Sequence, residues 1–177
     1  MGETRDFDNP GRPCRILITG IGCVGKSTLR RRVAGLLGDH ATSVDKDDGV
    51  PVPAPDPDKV FVLESVHGLD EEKPECFDLV VYLMPPSRHW LRWVLRGLAW
   101  FRTGYVDRPP RTVRRPFSIL NVPLITFLIA RNLVLARRWV REDLNRLRWL
   151  KTRVIVTNSP EEALQAVLRS VDANRDR

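Results

Sequence analysis

The 177-residue sequence contains little cysteine, and it lacks any long apolar run. The chain has three cysteines, Cys14, Cys23 and Cys76, and this odd number argues against a disulfide scaffold and favours a reducing compartment. No cysteine or histidine cluster has zinc-ligand spacing, which argues against a zinc finger. The longest uncharged stretch, Pro116–Ala130, has 15 residues and contains a proline. Because a spanning helix needs about 20 apolar residues, we expect no transmembrane segment.

Signals for export and for two nucleotide-binding folds are also missing. Met1–Pro13 is polar with mixed charge, unlike a secretory signal, and we expect it to be a flexible tail of a cytoplasmic protein. No Asn-Lys-x-Asp guanine signature follows the last predicted strand, whose end and continuation read Val156-Thr157-Asn158-Ser159-Pro160. No G-x-G-x-x-G follows a strand, so a dinucleotide-binding fold has no support. The missing guanine signature argues against a GTPase.

Acidic residues are scarce in the middle of the chain. Residues 88–153 contain 16 basic and 3 acidic residues, whereas residues 1–87 contain 10 basic and 15 acidic residues. All five tryptophans lie in this basic segment: Trp90, Trp93, Trp100, Trp139 and Trp149. At helical spacing, tryptophans favour a role in the core. The alternative is that a face formed by Trp90, Trp93 and Trp100 lines a pocket for an aromatic or lipophilic acceptor.

Short apolar runs alternate with helical patterns along the chain. The strand candidates are Arg15–Thr19, Ala41–Val44, Val60–Leu63, Leu79–Met84 and Val154–Thr157. The helix candidates are Thr28–Leu37 with Gly38 as C-cap, a segment capped by Ser87 and ending near Phe101, a long helix from about Asn121, and Pro160–Val171. The long helix has an apolar stripe formed by Val122, Ile125, Ile129, Leu133, Ala136, Val140, Leu144 and Leu147. This alternation predicts an α/β fold with a parallel sheet in a single domain spanning residues 14–177.

The strongest motif is the glycine-rich run after the first strand. Gly20-Ile21-Gly22-Cys23-Val24-Gly25-Lys26-Ser27 matches G-x-x-x-x-G-K-[ST], with the required strand before it and helix after it. Glycines allow the backbone to approach phosphate oxygens, and a loop at a helix N-terminus forms an anion site. We therefore expect residues 20–28, ending at Thr28, to bind ATP. Lys26 would reach the β- and γ-phosphates, and the Ser27 hydroxyl would bind Mg²⁺. A purely structural glycine-rich turn is the disfavoured alternative.

With this motif, the chain resembles P-loop kinases of the nucleoside/nucleotide-kinase-like group, which includes adenylate, shikimate, gluconate and uridine kinases. The resemblance extends over roughly Arg15–Val171 and depends on the order of strand, P-loop, helix, two acidic strand ends, a further strand, and an arginine-rich helix and loop. It implies the three-layer P-loop NTPase fold with a five-stranded parallel sheet and helices on both faces. It also implies a helical, arginine-rich lid or acceptor region, here residues 86–150.

Two acidic strand ends carry the resemblance further. Asp45 and Asp47 resemble the aspartate pair of shikimate- and gluconate-type kinases, in which one residue serves Mg²⁺ and the other orients or deprotonates the acceptor hydroxyl. Glu64 resembles the glutamate that closes the third strand in uridine- and deoxynucleoside-type kinases and acts near the metal. The alternative for each is a solvated acidic turn. We expect His40, His67 and His89 to have no catalytic role.

Arginines follow the fourth predicted strand. By resemblance to kinase lids, Arg92, Arg96 and Arg102 are expected to close over the phosphates, with the loop Arg108–Arg115 as the mobile part. The planar guanidinium binds phosphate oxygens in a bidentate manner, and closure excludes water. The alternative is a solvated cationic face, which we expect for most of these arginines.

The sequence therefore predicts a kinase that uses Mg²⁺ and ATP to phosphorylate a small molecule bearing a hydroxyl or phosphate. One departure from nucleotide kinases is the connection Asp45–Lys59, which is short and proline-rich where those enzymes have a helical insert. The acceptor site is then expected on the long helices. Two alternatives stay open: the basic, tryptophan-rich half binds nucleic acid, which is less favoured, or residues 88–150 bind a membrane surface with ATP binding as a switch.

Overall fold

Five parallel strands form the centre of the molecule. The computed structural model describes residues 14–46, 51–66, 69, 72–92, 94–95 and 121–175. The strands are β1 (Arg15–Thr19), β2 (Ala41–Asp45), β3 (Val60–Glu64), β4 (Leu79–Leu83) and β5 (Arg153–Thr157), in the spatial order β2-β3-β1-β4-β5. All four strand pairings are parallel. The predicted α/β class and five-stranded parallel sheet are confirmed.

Three α-helices of 12, 27 and 16 residues accompany the strands within the described residues. They are α1 (Lys26–Leu37), α2 (Asn121–Leu147) and α3 (Pro160–Arg175), with 3₁₀ turns at Gly38–His40 and Pro74–Cys76. Residues 89–92 and 94–95 are also helical. That helix begins at His89, so Ser87 lies in the preceding turn and is not the cap that the sequence predicted. The expected end at Phe101 lies outside the described residues.

The helix ends follow local sequence signals. The predicted C-cap of α1 is confirmed: Gly38 has φ 54° and its N–H donates to the Ala34 carbonyl, a positive φ that glycine adopts at little cost. At the start of α3, Pro160 occupies the first helical position, and the Glu162 N–H donates to Ser159 Oγ at 3.3 Å. Proline there loses no helical hydrogen bond, and serine is a preferred cap.

Apolar residues cover both faces of the sheet. Ile16 and Ile18 of β1 point to the face covered by α1 and α3, and Leu17 points to the other. The first face is filled mainly by Leu29, Val33, Val62, Val81, Ala163 and Val167. The second is filled mainly by Val44, Phe61, Leu63, Val80, Tyr82 and Leu147. Every residue of β3 and β4 is buried, as expected for central strands of a parallel sheet.

The C-terminal half of α2 is fixed to the sheet. Ala136, Val140 and Leu147 are buried, which confirms this part of the predicted stripe; the side chains of its first four residues lie outside the described part. The Tyr82 hydroxyl donates to Asp143 Oδ2 at 2.7 Å. Burial and the adjacent carboxylate raise the pKa of the Tyr82 phenol.

Within the described residues, no helix has the length and apolar character needed to cross a bilayer.

Candidate functional site

The candidate site lies at the carboxyl edge of the sheet. The chain leaves the central strand β1 toward β2 on one side and leaves β4 toward β5 on the other. In parallel sheets, ligands bind where neighbouring strands connect in opposite directions. The glycine-rich loop follows β1 at this point, and Asp45 and Glu64 are the last residues of β2 and β3. The topology therefore brings the three strongest sequence signals to one edge.

The loop backbone needs glycine at its first position. Gly20 has φ 132°, and a Cβ atom there would lie 2.5 Å from the backbone oxygen of Leu83 on β4. No L-residue fits that contact without moving the backbone. Cys23 also has a positive φ, 62°, and Gly25 has φ 105°. Ile21 and Val24 are buried in the core cluster on the α1 face, which ties the loop to the sheet.

The loop ends at the start of α1. The Leu29 N–H donates to the Gly25 carbonyl as the first bond of the helix, so the N–H groups of its first turn have no partner within the helix. Among the described residues no side chain caps this end, and the first turn contains no acidic residue. The positive end of the helix dipole is therefore directed at the loop, where it favours an anion.

Lys26 lies across the loop. Its side chain is buried, and Nζ donates to the Ile21 carbonyl at 3.1 Å. The ammonium is thus held on the inner side of the loop and close to its backbone. Thr28, the last residue of the predicted nucleotide site, is exposed in the first turn of α1. The arrangement concentrates positive charge where the loop and the helix meet.

The structure brings together the three residues predicted to serve the metal. Asp45 and Glu64 are register neighbours on adjacent strands, and both are buried. The Ser27 hydroxyl donates to Glu64 Oε1 at 2.6 Å. A hydroxyl that donates a hydrogen bond still has its oxygen lone pairs available to bind a cation.

These residues fit magnesium better than a metal held entirely by protein ligands. No group of three or more His, Cys, Asp or Glu side chains that could hold a metal occurs in the described part of the chain. Magnesium usually retains several waters and is bound by one or two protein ligands together with substrate phosphates. A serine hydroxyl beside a buried carboxylate at the glycine-rich loop suits that preference.

Arg30 is a member of this cluster that the sequence analysis missed. Its Nε donates to Glu64 Oε2 at 2.9 Å, and a terminal nitrogen lies 3.6 Å from Asp45 Oδ2. A further nitrogen donates to Ser43 Oγ at 3.2 Å. Arg30 follows Ser27 by three positions on α1, which places both on one helix face; that spacing was the available signal. The guanidinium compensates two carboxylates that are otherwise costly to bury.

Replacing Arg30 by methionine is expected to destabilise the fold strongly. The change leaves Asp45 and Glu64 buried without their shared cation, and removing one partner of a buried ion pair costs about 3 kcal/mol. Urea unfolding of the purified chain measures the loss. Arg32→Met is the matched control, because Arg32 pairs with Glu161 at an exposed position, where an ion pair contributes little. Equal stability of the two variants would contradict the importance of the buried cluster.

His89 also contacts the loop, a contact that the sequence analysis missed; the expectation that it has no catalytic role stays a prediction. It is buried, and its Nε2 donates to the Gly22 carbonyl at 2.7 Å. Burial lowers the pKa of the imidazole, the hydrogen bond to Gly22 opposes that shift, and the positive charges of Arg92 and Lys26 lower the pKa further. The helix after β4 is therefore anchored to the loop. The signal was its position just after a strand whose carboxyl end adjoins β1.

Acidification is expected to weaken the fold through His89. Because the pKa of folded His89 lies below its ordinary value of 6.5, its contribution to stability is fully present above that value and is lost as the pH falls through the folded pKa. Between about pH 7.5 and about pH 5, the wild type should therefore lose more free energy of unfolding than His89→Gln, whose amide can still donate to Gly22. Urea titrations at both pH values test this; parallel losses in the two proteins would contradict it.

Several predicted residues are not settled by the structure. Asp47, Arg96 and Arg102 lie outside the described residues, as do His67 and the loop Arg108–Arg115. Arg92 is exposed, and it lies close enough to His89 for its charge to lower the pKa of that imidazole. Arg92 is the only one of the three predicted lid arginines within the described residues, and it lies near His89, which contacts the loop.

The tryptophans do not behave as one group. Trp139 packs partly buried against the core, as predicted. Trp90 and Trp149 are 56% and 86% exposed, so the expectation of a core role is wrong for these two. Trp93 and Trp100 lie outside the described residues.

No protein-family model matches this chain, and no curated protein matches it in sequence.

Proposed function

We propose that this protein is a P-loop phosphotransferase that transfers the γ-phosphate of ATP, with Mg²⁺, to a small molecule bearing a hydroxyl or a phosphate. The observation that carries the proposal is the position of the glycine-rich loop. It lies between a central parallel strand and an uncapped helix start, with Lys26 on its inner side and Ser27 bonded to Glu64. Phosphoryl transfer requires mainly positioning and electrostatic stabilisation, which these groups can supply.

The loop and α1 are proposed to bind the phosphates. The backbone of residues 20–25 and the first-turn N–H groups of α1 would donate to phosphate oxygens. Lys26 would exchange its bond to the Ile21 carbonyl for the β- and γ-phosphates. Arg92, near the same loop, would neutralise charge on the outer phosphate. The helix dipole and both side chains thus act on the same anion.

Ser27 and Glu64 are proposed to hold Mg²⁺ together with the phosphates. When bound, the ion would neutralise charge on the β- and γ-phosphate oxygens. Glu64 orients the Ser27 hydroxyl by accepting its hydrogen bond, and Arg30 orients Glu64. Asp45 lies 3.6 Å from Arg30, whereas Glu64 lies 2.9 Å away. Asp45, the last residue of the neighbouring strand β2, is proposed to orient an acceptor hydroxyl; Asp47 stays a prediction for the same role.

The proposal is tested by measuring ADP release with Mg²⁺ and ATP against a panel of small metabolites that contain hydroxyl or phosphate groups. An acceptor-dependent rate above the background ATP hydrolysis is expected for at least one compound class. Isothermal titration with a non-hydrolysable ATP analogue, with and without Mg²⁺, measures nucleotide binding separately. Absence of nucleotide binding under either condition would overturn the proposal, whichever acceptors are tested.

A further inference from the structure

The outward face of α2 exposes apolar side chains that nothing in the proposed phosphotransfer uses. Phe127 and Val134 are 61% and 75% exposed. They are seven residues apart, which places them on one side of the helix. The opposite side carries Ala136, Val140 and Leu147, which are buried against the sheet. The exposed pair therefore does not belong to the core of this domain.

Arginines share this outward face. Arg131, Arg138 and Arg141 are exposed, and their spacing from Phe127 and Val134 keeps all five residues within one side of the helix. We name these five residues the α2 outer face. Glu142 pairs with Arg138 at 2.8 Å, and Asp143 accepts the Tyr82 hydroxyl on the sheet side. The net charge of the outer face is strongly positive.

Charge and apolar character change along the helix. Residues 122–136 contain a single charged residue, Arg131, whereas residues 137–148 contain five arginines and two acidic residues. A helix segment that is apolar on all sides suits a core or a lipid environment. In this helix, that apolar segment includes Phe127 and Val134, the large apolar side chains that are exposed among the described residues of α2. Trp149, 86% exposed, lies two residues beyond the end of α2, and tryptophan prefers the interface between lipid and water.

We propose that the α2 outer face docks on an anionic lipid bilayer, with the helix lying in the plane of the interface. Phe127 and Val134 would enter the boundary between headgroups and acyl chains, and the arginines would pair with lipid phosphates. Charge complementarity selects an anionic partner. The aliphatic Val134 and its apolar surroundings select lipid over nucleic acid, because single-stranded nucleic acid is bound through aromatic stacking and cations.

Co-sedimentation of the full chain with vesicles tests this inference. Vesicles contain either phosphatidylcholine alone or about 30% phosphatidylserine, a charge density that attracts basic segments. Binding is expected to the anionic vesicles and to weaken between about 0.1 M and about 0.5 M salt. Each arginine contributes roughly a fivefold factor to such partitioning, so R131Q/R138Q/R141Q should reduce it on the order of 100-fold. F127S/V134S should reduce binding by roughly tenfold, because less apolar surface is buried.

Matched control variants test whether vesicle binding depends on the α2 outer face or only on the overall charge and hydrophobicity of the protein. K151Q/R153Q/R169Q removes as many positive charges outside this face, and L36S/V52S removes two exposed apolar side chains elsewhere; both should bind vesicles nearly as wild type. Circular dichroism and thermal unfolding of every variant establish that it is folded. Because the docking does not depend on nucleotide chemistry, Lys26→Ala should bind vesicles normally, so this inference and the proposed phosphotransfer can fail separately.

Three results would overturn the docking proposal. The first is absence of binding to anionic vesicles at low salt, and the second is equal binding to both vesicle types. The third is equal loss in the control variants and in the α2 variants. Oligonucleotide binding without vesicle binding, if lost in R131Q/R138Q/R141Q alone, would assign the face to nucleic acid instead. A dimer in solution that F127S/V134S dissociates, without vesicle binding, would assign it to a second copy of the chain.

Discussion

Replacing Lys26 by alanine is expected to lower acceptor-dependent ADP release by at least about 100-fold, the effect of removing one well-placed electrostatic donor. The ammonium is buried and held against the loop backbone by the Ile21 carbonyl. In that position it lies in surroundings that screen its charge poorly, so its attraction for a developing phosphate charge is strong. Steady-state kinetics with the acceptor found in the metabolite panel measure the loss.

Two control variants make the result specific to the loop. Lys151→Ala removes a lysine that is exposed, and it should leave the rate unchanged. Lys26→Arg keeps the charge but replaces a compact ammonium by a wide planar group, which the buried position does not accommodate, so it should also be inactive. Wild-type rates in Lys26→Ala would contradict the proposed phosphotransfer.

A binding measurement separates loss of nucleotide affinity from loss of fold. Nucleotide raises the unfolding temperature of a protein that binds it only in the folded state. Wild type and Lys151→Ala should therefore show a rise with Mg²⁺ and ATP that Lys26→Ala lacks. The unfolding temperatures without nucleotide reveal any structural cost of losing the bond to Ile21.

The second large effect is structural: Gly20→Ala is expected to destabilise the fold by about 3 kcal/mol or more, from a strained backbone and a steric clash together. The φ of 132° is one that L-residues rarely adopt, and the new Cβ atom would lie 2.5 Å from the Leu83 carbonyl oxygen. That oxygen belongs to the central strand β4, which is buried along its whole length. Neither group can move without disturbing the pairing of β1 with β4.

Gly35→Ala provides the matched control for Gly20→Ala. Gly35 lies in α1, and a Cβ built there has no atom within 4 Å other than those of its chain neighbours and the adjacent helix backbone. Alanine is preferred to glycine inside a helix by roughly 0.5–1 kcal/mol, so this variant should be more stable than wild type. Urea unfolding of both variants gives the comparison. A Gly20→Ala protein as stable as wild type would show that the loop can retreat from β4, contrary to the contact described.

The sequence alone determined most of the fold. Strands β1 to β5 have the predicted positions to within one residue at each end, because central parallel strands require continuous apolar, β-branched runs that are easy to recognise. The glycine-rich motif was equally clear, because its glycines, lysine and serine have fixed spacings within one short stretch of sequence. Gly38 was recognised as a C-cap for a similar local reason. These are signals that a short stretch of residues contains by itself.

The tertiary structure decided which distant residues meet. Arg30 contacts Glu64, 34 positions away, and His89 contacts Gly22, 67 positions away. Both contacts depend on the strand order β2-β3-β1-β4-β5, which no local pattern specifies. The exposure of Trp90 and Trp149 was decided in the same way, because whether a face is covered depends on what packs on it. The sequence supplied the groups at the candidate site, and the topology of the sheet determined their partners.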